Sequence, residues 1–151
     1  LTTPMLGRFI REVEQHPTEW AEQIVQRLEP ICRGLVPVVW RLQINRAKTR
    51  ALSHALRSNQ TPIPLSTLLT SNRDREKQLP IMPLMVERAS HFILLPPDNF
   101  ALANGDRILF AGPREAWDEQ KYTAQNANAL EYVLSGRTVT GSLLGKILGH
   151  A

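Results

Sequence analysis

The stretch from residue 96 to residue 113 constrains the fold more than any other part of the chain. It begins with Pro96 and Pro97, which end the apolar run of residues 91–95 because proline has no N–H to donate to a neighbouring strand. Asn104-Gly105-Asp106 predicts a tight turn, since Asn and Gly tolerate positive φ and Asp can cap its own turn. The stretch therefore predicts a strand, a connection, a turn and a second strand, and Gly112-Pro113 ends that strand before a helix.

The spacing of apolar residues predicts helices and strands over the rest of the chain. Residues 1–15 form an approach segment with some helical spacing, and Thr18 is expected to be the N-cap of the first full helix. That helix is expected to end near Gly34. It is followed by a strand over 35–44, a helix over 47–56, a turn of helix over 65–69, two short strands within 80–95 and a strand over 107–111. The last elements are a helical stretch over 114–135, either continuous or broken into two pieces within 126–130, and a strand or short helix over 138–148.

These elements predict an α+β fold. Because each element must bury its apolar face against another layer, we expect a small mixed or antiparallel sheet of about four to five strands packed against helices. Trp40 lies in the first strand and is expected to belong to the core rather than to a ligand-stacking surface.

The positive charge of the chain is concentrated in its centre. The net charge is +4, and residues 34–80 alone carry eight Lys and Arg against two carboxylates. A field of this sign attracts phosphates or an acidic partner, although a solvated basic face would have the same composition. The candidate ligand-binding residues are Arg46, Lys48, Arg50 and His54, because Arg and Lys donate hydrogen bonds to phosphate oxygens.

The sequence lacks the residue patterns that several kinds of functional site require. The single cysteine, Cys32, cannot form an internal disulfide or a multi-thiolate metal site, and the four histidines are scattered, so we predict no metal site. No dinucleotide loop, Walker loop or nucleophile elbow is present, so we predict no cofactor, no catalytic residue and no enzyme activity. An enzyme would need polar groups from Arg46, His54, Arg88 or His91 to meet in one pocket.

Nucleic-acid binding is not expected from the most polar run of the chain. Residues 71–78 alternate positive and negative charges, which partly neutralise one another. No aromatic residue is interleaved with them, whereas single-stranded nucleic acid is usually bound by stacking its bases on aromatic rings.

The central stretch resembles the C-terminal subdomain of regulator-of-potassium-conductance modules, also called the TrkA-C domain. The matching residues are Pro96, Pro97-Asp98, Leu102 and the pattern Gly105-Asp106-x-Ile108-Leu109-x-x-Gly112. Arg88 is similar to an Arg that commonly follows the preceding strand in that family. The resemblance is clearest over residues 84–113 and extends from about residue 35, but the family's usual Gly-Lys at the first helix is Ala47-Lys48 here.

The resemblance implies a cytoplasmic, non-enzymatic domain that dimerises, regulates a potassium channel or cation transporter and senses a small ligand. We accordingly divide the chain into a helical linker or arm (1–33), a TrkA-C-like regulatory domain (34–113) and a C-terminal helix and tail (114–151). The expected partners are a second copy of the chain, a membrane channel or transporter subunit and an anionic small ligand, with no nucleic acid. No apolar run approaches the ~18 residues of a membrane span, and we read the chain as a piece of a longer protein. The alternative function is a protein–protein interaction module that binds through residues 114–135 without a small ligand.

Overall fold

A computed structural model describes residues 4–58 and 60–136. The elements are, in chain order, α1 (Pro4–Glu14), α2 (Thr18–Cys32), β1 (Val38–Gln43), α3 (Arg50–Ser58), a 3₁₀ helix (Leu65–Leu69), β2 (Met82–Arg88), β3 (His91–Leu94), β4 (Arg107–Gly112), α4 (Arg114–Gln125) and α5 (Ala127–Ser135). The element predicted over residues 138–148 lies outside the described residues.

The strands form one antiparallel sheet with the order β1-β4-β2-β3. Within the described residues β1 pairs only with β4, so the opposite edge of β1 is free. Pro37 directly precedes β1, where its missing N–H costs no ladder hydrogen bond. The predicted fold class, an α+β fold with a small sheet packed against helices, is confirmed.

One face of the sheet packs against α3, the 3₁₀ helix, α4 and α5. Trp40 and Phe110 are cross-strand neighbours on this face, and the largest side chains of the layer are almost completely buried. Leu52 of α3 and Leu68 of the 3₁₀ helix join the same core. Burying each such side chain contributes about 1.5–3 kcal/mol, so this layer fixes where α4 lies against β1.

The opposite face of the sheet packs against α1 and α2. Met5 and Phe9 of α1 and Ile24 of α2 share a core with the apolar residues of β2 and β4 that point to this side. Residues 4–14 are thus a helix rather than an approach segment. The proposed boundary at residue 33 stays a prediction, and the structure adds that residues on both sides of it share this core.

The stretch from residue 96 to residue 113 organises the fold as its sequence suggests. The strand before it ends at Leu94, and Gly105 has a φ of +93° in the turn before β4. Backbone hydrogen bonds from Leu65 N–H to Phe100 O (2.7 Å) and from Leu102 N–H to Ile63 O (2.9 Å) tie its connection to the 3₁₀ helix. The stretch therefore contributes the central strand and also holds the segment that covers the core.

Two boundaries differ from the sequence prediction. Thr18 is the first helical residue, Pro17 occupies the cap position and no side chain caps the helix, so the N-cap prediction was wrong. The first strand begins at Val38 instead of residue 35.

Of the two alternatives for residues 114–135, the structure has the broken helix. The break lies at Asn126, whose Oδ1 accepts a hydrogen bond from Ala129 N–H (2.9 Å) and so caps α5.

Candidate functional site

A groove lies between the free edge of β1 and the exposed side of α4. Its volume is about 220 Å³, and it extends to the turn before α3. The residues that line it are Trp40, Arg41, Leu42, Gln43, Lys48, Thr49, Trp117, Gln120, Lys121, Ala124 and Gln125. We call it the tryptophan groove.

Two indole rings form the apolar wall of the tryptophan groove. Trp40 and Trp117 stack with ring centroids 5.5 Å apart and an interplanar angle of 10°. Trp40 is only 3% exposed, as expected for a core residue, and its Nε1 donates a hydrogen bond to Gln120 Oε1 (2.8 Å). Trp117 is partly exposed, so part of its indole ring is accessible from the groove. An accessible indole can contact an aromatic ligand.

The rim of the tryptophan groove is positively charged. Arg41, Lys48 and Lys121 line it, and within residues 4–58 and 60–136 no Asp or Glu does. The Lys121 ammonium also lies 5.6 Å from the Trp117 ring centroid, and the Arg114 guanidinium lies 5.0 Å from it. These cation–π contacts keep positive charge beside the aromatic wall. The groove therefore combines a surface for stacking with donors for an anion.

A hydrogen-bonded turn places Lys48 at the rim. Asn45 Oδ1 accepts from Lys48 N–H (2.7 Å), and the buried Thr49 hydroxyl is 3.2 Å from both Gln43 O and Asn45 O. Gln125 of α4 donates to Lys48 O (3.1 Å), which links the turn to the opposite wall. The Lys48 backbone is thus fixed, while its ammonium group is exposed to solvent.

The groove is lined by groups that can form hydrogen bonds. Among the residues that the structure describes, the lining includes amides, cations and one hydroxyl, and no His, Cys, Asp or Glu. The Thr49 hydroxyl is already engaged by backbone carbonyls. The cations and amides can donate hydrogen bonds to an anion.

The four predicted site residues do not form one cluster. Lys48 lines the groove, whereas Arg46, Arg50 and His54 are exposed on the turn and on α3 and do not line it. His54 Nε2 lies 3.4 Å from Ser58 Oγ. Whether any of the four binds a ligand stays a prediction.

Sequence reasoning missed the other two cations of the rim. Arg41 follows Trp40 in β1, and Lys121 lies four residues after Trp117 on α4, so each is a local neighbour of an indole in the sequence. That local pairing was the available signal. No local pattern places α4 beside β1, because this contact depends on the core beneath them.

Asp106 is the most buried carboxylate among the ion pairs that the structure describes, and its partner is Arg88. Arg88 Nε and Nη2 donate to the two carboxylate oxygens of Asp106, both at 2.8 Å, and the Asp106 side chain is 0% exposed. Ala103 N–H donates to the same carboxylate (2.9 Å), and Arg88 also donates to Ala101 O (2.8 Å). The hydrogen bonds with Asp106 raise the pKa of Arg88. Arg88 therefore holds the turn before β4 in place.

The arrangement that an enzyme would require is not assembled in the described residues. Arg88 is bound to Asp106, His91 is exposed on β3, and Arg46 and His54 lie on and before α3. Within residues 4–58 and 60–136, no three His, Cys, Asp or Glu side chains gather into a possible metal site. In the same residues no helix is long and apolar enough to cross a membrane.

Comparison with known proteins finds similarity among solved structures. No protein-family model and no curated protein matches the chain. Among solved structures, the chain is similar to S. agalactiae BusR in complex with its busAB-promotor DNA, with 15% sequence identity and a TM-score of 0.35. The match covers 84% of this chain and 58% of the BusR chain.

This comparison corrects one expectation about partners. The sequence led us to expect no nucleic acid, because residues 71–78 carry charges without aromatic residues. The similar protein was solved with promoter DNA bound to it, so the absence of a nucleic-acid partner can no longer be assumed. A composition argument on one loop is too local to exclude such a partner, because phosphate contacts need only positive charge on the surface.

Proposed function

We propose that this chain is a non-enzymatic regulatory domain that dimerises and senses a small anionic ligand in the tryptophan groove. In this proposal it is the cytoplasmic part of a potassium channel or cation transporter, as the resemblance of residues 84–113 to TrkA-C domains implies. The observation that carries the ligand-sensing part is the groove itself, in which a partly exposed indole lies beside a rim of three cations and, among the described residues, no carboxylate.

The charge and shape of the groove support an anion that carries a ring. Lysine and arginine give charge-assisted hydrogen bonds to phosphate or carboxylate oxygens, and these are stronger than neutral ones. An indole face adds stacking energy for a planar ring. A nucleotide has both parts, and so do other aromatic anions.

Exposed apolar residues support the dimerising part of the proposal. Leu35 and Val36 are 57% and 82% exposed between α2 and β1, and Val25 of α2 is 55% exposed. Val25 and Leu35 line one shallow cavity together with Leu28. Contiguous apolar surface on a domain marks an interaction site.

The first test is the binding of ligands by tryptophan fluorescence. The chain has three tryptophans, and Trp20 lies outside the groove against His16. In the Trp20→Phe protein the signal comes only from Trp40 and Trp117, so a groove ligand should change it directly. The ligand panel consists of cyclic dinucleotides, adenine nucleotides and divalent cations.

Charge variants then locate the binding site. Lys121→Gln and Lys48→Gln should each weaken binding about tenfold, because each removes one charge-assisted contact. Arg57→Gln is the matched control, since Arg57 is an exposed cation of α3 outside the groove. Equal losses in all three variants would indicate general electrostatic attraction and would refute the groove site.

Thermal melts and light scattering test sensing and dimerisation separately. A ligand at a hundred times its Kd stabilises the native state by about 2.7 kcal/mol, which raises Tm by roughly 5–10 °C for a domain of this size. A monomer at high concentration with no ligand-dependent shift would refute the proposal and favour an interaction module that uses α4 and α5. A dimer whose Tm does not change with any ligand of the panel would support the dimerisation part of the proposal and refute the sensing of these ligands.

A further inference from the structure

A second group of positive charges lies on the opposite side of β1 from Trp40. Arg8 and Arg11 of α1, Arg41 of β1 and Arg107 of β4 line one cavity of about 290 Å³. Glu87 of β2 lines the same cavity. We call these five residues the arginine cluster.

Glu87 is the one carboxylate among the described residues that line the cavity of the arginine cluster. Glu87 Oε2 lies 3.1 Å from Arg8 Nη1, and Glu87 Oε1 lies 3.1 Å from Arg107 Nη1. Arg11 and Arg41 have no ion pair within the described part of the chain. The five side chains therefore carry a charge of +3 around a single cavity.

Holding α1 against the sheet explains only part of this arrangement. The Arg8–Glu87 pair links α1 to β2, and the Arg8 guanidinium lies 4.6 Å from the centre of the Phe92 ring. These contacts account for Arg8 and Glu87. They give no reason for Arg11 and Arg41 to line the same cavity, where like charges repel one another.

We propose that the arginine cluster binds the phosphate group of a small molecule. Four guanidinium groups from three elements surround the cavity, and the planar fork of arginine matches tetrahedral phosphate oxygens with paired hydrogen bonds. The cavity is roughly ten times the ~30 Å³ that one water occupies in the liquid, so it admits a phosphate with part of the molecule that carries it. Pro4 of α1 lines the cavity too.

The arginine cluster is a separate site from the tryptophan groove. Arg41 lines both cavities, whereas Arg11 lines only the cluster and Lys121 lines only the groove. Variants of Arg11 and Lys121 therefore distinguish the two sites. The cluster can bind phosphate whether or not the groove binds a ligand.

Isothermal titration of the full chain with inorganic phosphate tests this site. Ionic strength is held constant with chloride. Glycerol 3-phosphate, which has no ring to contact the tryptophan groove, is titrated in parallel to distinguish free phosphate from a phosphomonoester. Arg11→Gln should weaken binding of the better of the two probes about tenfold, because it removes a charge-assisted contact. The matched control Arg27→Gln removes an exposed cation of α2 outside the cavity and should change affinity less than twofold.

Glu87→Gln supplies a readout that a purely structural role would not produce. It removes the charge that competes with phosphate for Arg8 and Arg107, so phosphate should bind several-fold more tightly even if the protein becomes less stable.

Three outcomes would overturn the proposal. The first is no saturable heat with either probe, and the second is an equal loss in the Arg11 and Arg27 variants. The third is saturable binding of a DNA duplex that depends on Arg11 while neither phosphate nor glycerol 3-phosphate binds, which would assign the cluster to a nucleic-acid backbone instead.

Discussion

Substitution of Arg88 by Met should destabilise the fold through the carboxylate that it leaves behind. Asp106 is fully buried and accepts three hydrogen bonds, two of them from Arg88 at 2.8 Å. Removing one partner of a buried ion pair costs ~3–5 kcal/mol. The Arg88 side chain is 48% exposed, so water can replace part of its contact, and we reduce the expected loss to about 2–3 kcal/mol.

Urea unfolding and a thermal melt measure this loss. We expect a lower urea midpoint with an unchanged m-value and a Tm lower by roughly 5–10 °C. Arg88→Lys should fall between the wild type and Arg88→Met, because an ammonium keeps the charge without the planar fork. Arg73→Met is the control, since the Arg73–Glu119 pair is 3.9 Å long with Arg73 83% exposed, and it should cost less than about 0.5 kcal/mol. Equal losses in the Arg88 and Arg73 variants would refute the argument that burial of Asp106 sets the cost.

Three further predictions concern the core. Gln120→Ala should lower the free energy of unfolding by about 2–4 kcal/mol, because it leaves the buried Trp40 indole N–H without an acceptor. A loss in urea unfolding no larger than that caused by replacing an exposed glutamine with alanine would contradict this. Gly112→Ala would place a Cβ 2.5 Å from a backbone carbonyl oxygen and should lower the free energy of unfolding by about 1–3 kcal/mol. In Gly7→Ala on α1 the new Cβ meets no atom closer than 3.6 Å, so the fold should not be destabilised. A lower Tm for Gly7→Ala than for Gly112→Ala would count against this prediction. Burial raises the pKa of the Cys32 thiol above its ordinary 9.0. The contribution of the neutral thiol to stability is therefore fully present below pH 9 and is lost as pH rises through the folded-state pKa. Cys32→Ala should show a smaller fall of Tm at alkaline pH than the wild type, and identical profiles of Tm against pH would contradict the reasoning.

Local sequence patterns predicted most of the elements. Some signals depend only on backbone chemistry within a few residues, so they could be interpreted without knowing the fold. These are the prolines at 96 and 97, the turn at Gly105 and the end of the strand at Gly112-Pro113. Patterns without such signals were interpreted less well. Residues 4–14 lack a described cap and were not predicted as a full helix, yet burial of Met5 and Phe9 against the sheet stabilises α1.

The candidate sites were less predictable than the fold. The sequence indicated basic residues near α3, and Lys48 does line the tryptophan groove. Lys121 is 73 residues further along the chain and lines the same groove only because α4 packs beside β1. Arg11 and Arg107 are likewise remote in sequence and line one cavity.

The sequence by itself determined the α+β class, the turn before the central strand and the basic character of the middle of the chain. Each of these follows from spacing, backbone restrictions or charge, which act locally. Only the tertiary structure decided that Asp106 is the buried partner of Arg88 as well as a turn residue, that Trp117 stacks on Trp40, and that arginines of three elements surround one cavity. These contacts depend on strand order and on which helix covers which face, and both are set by long-range packing of the two cores.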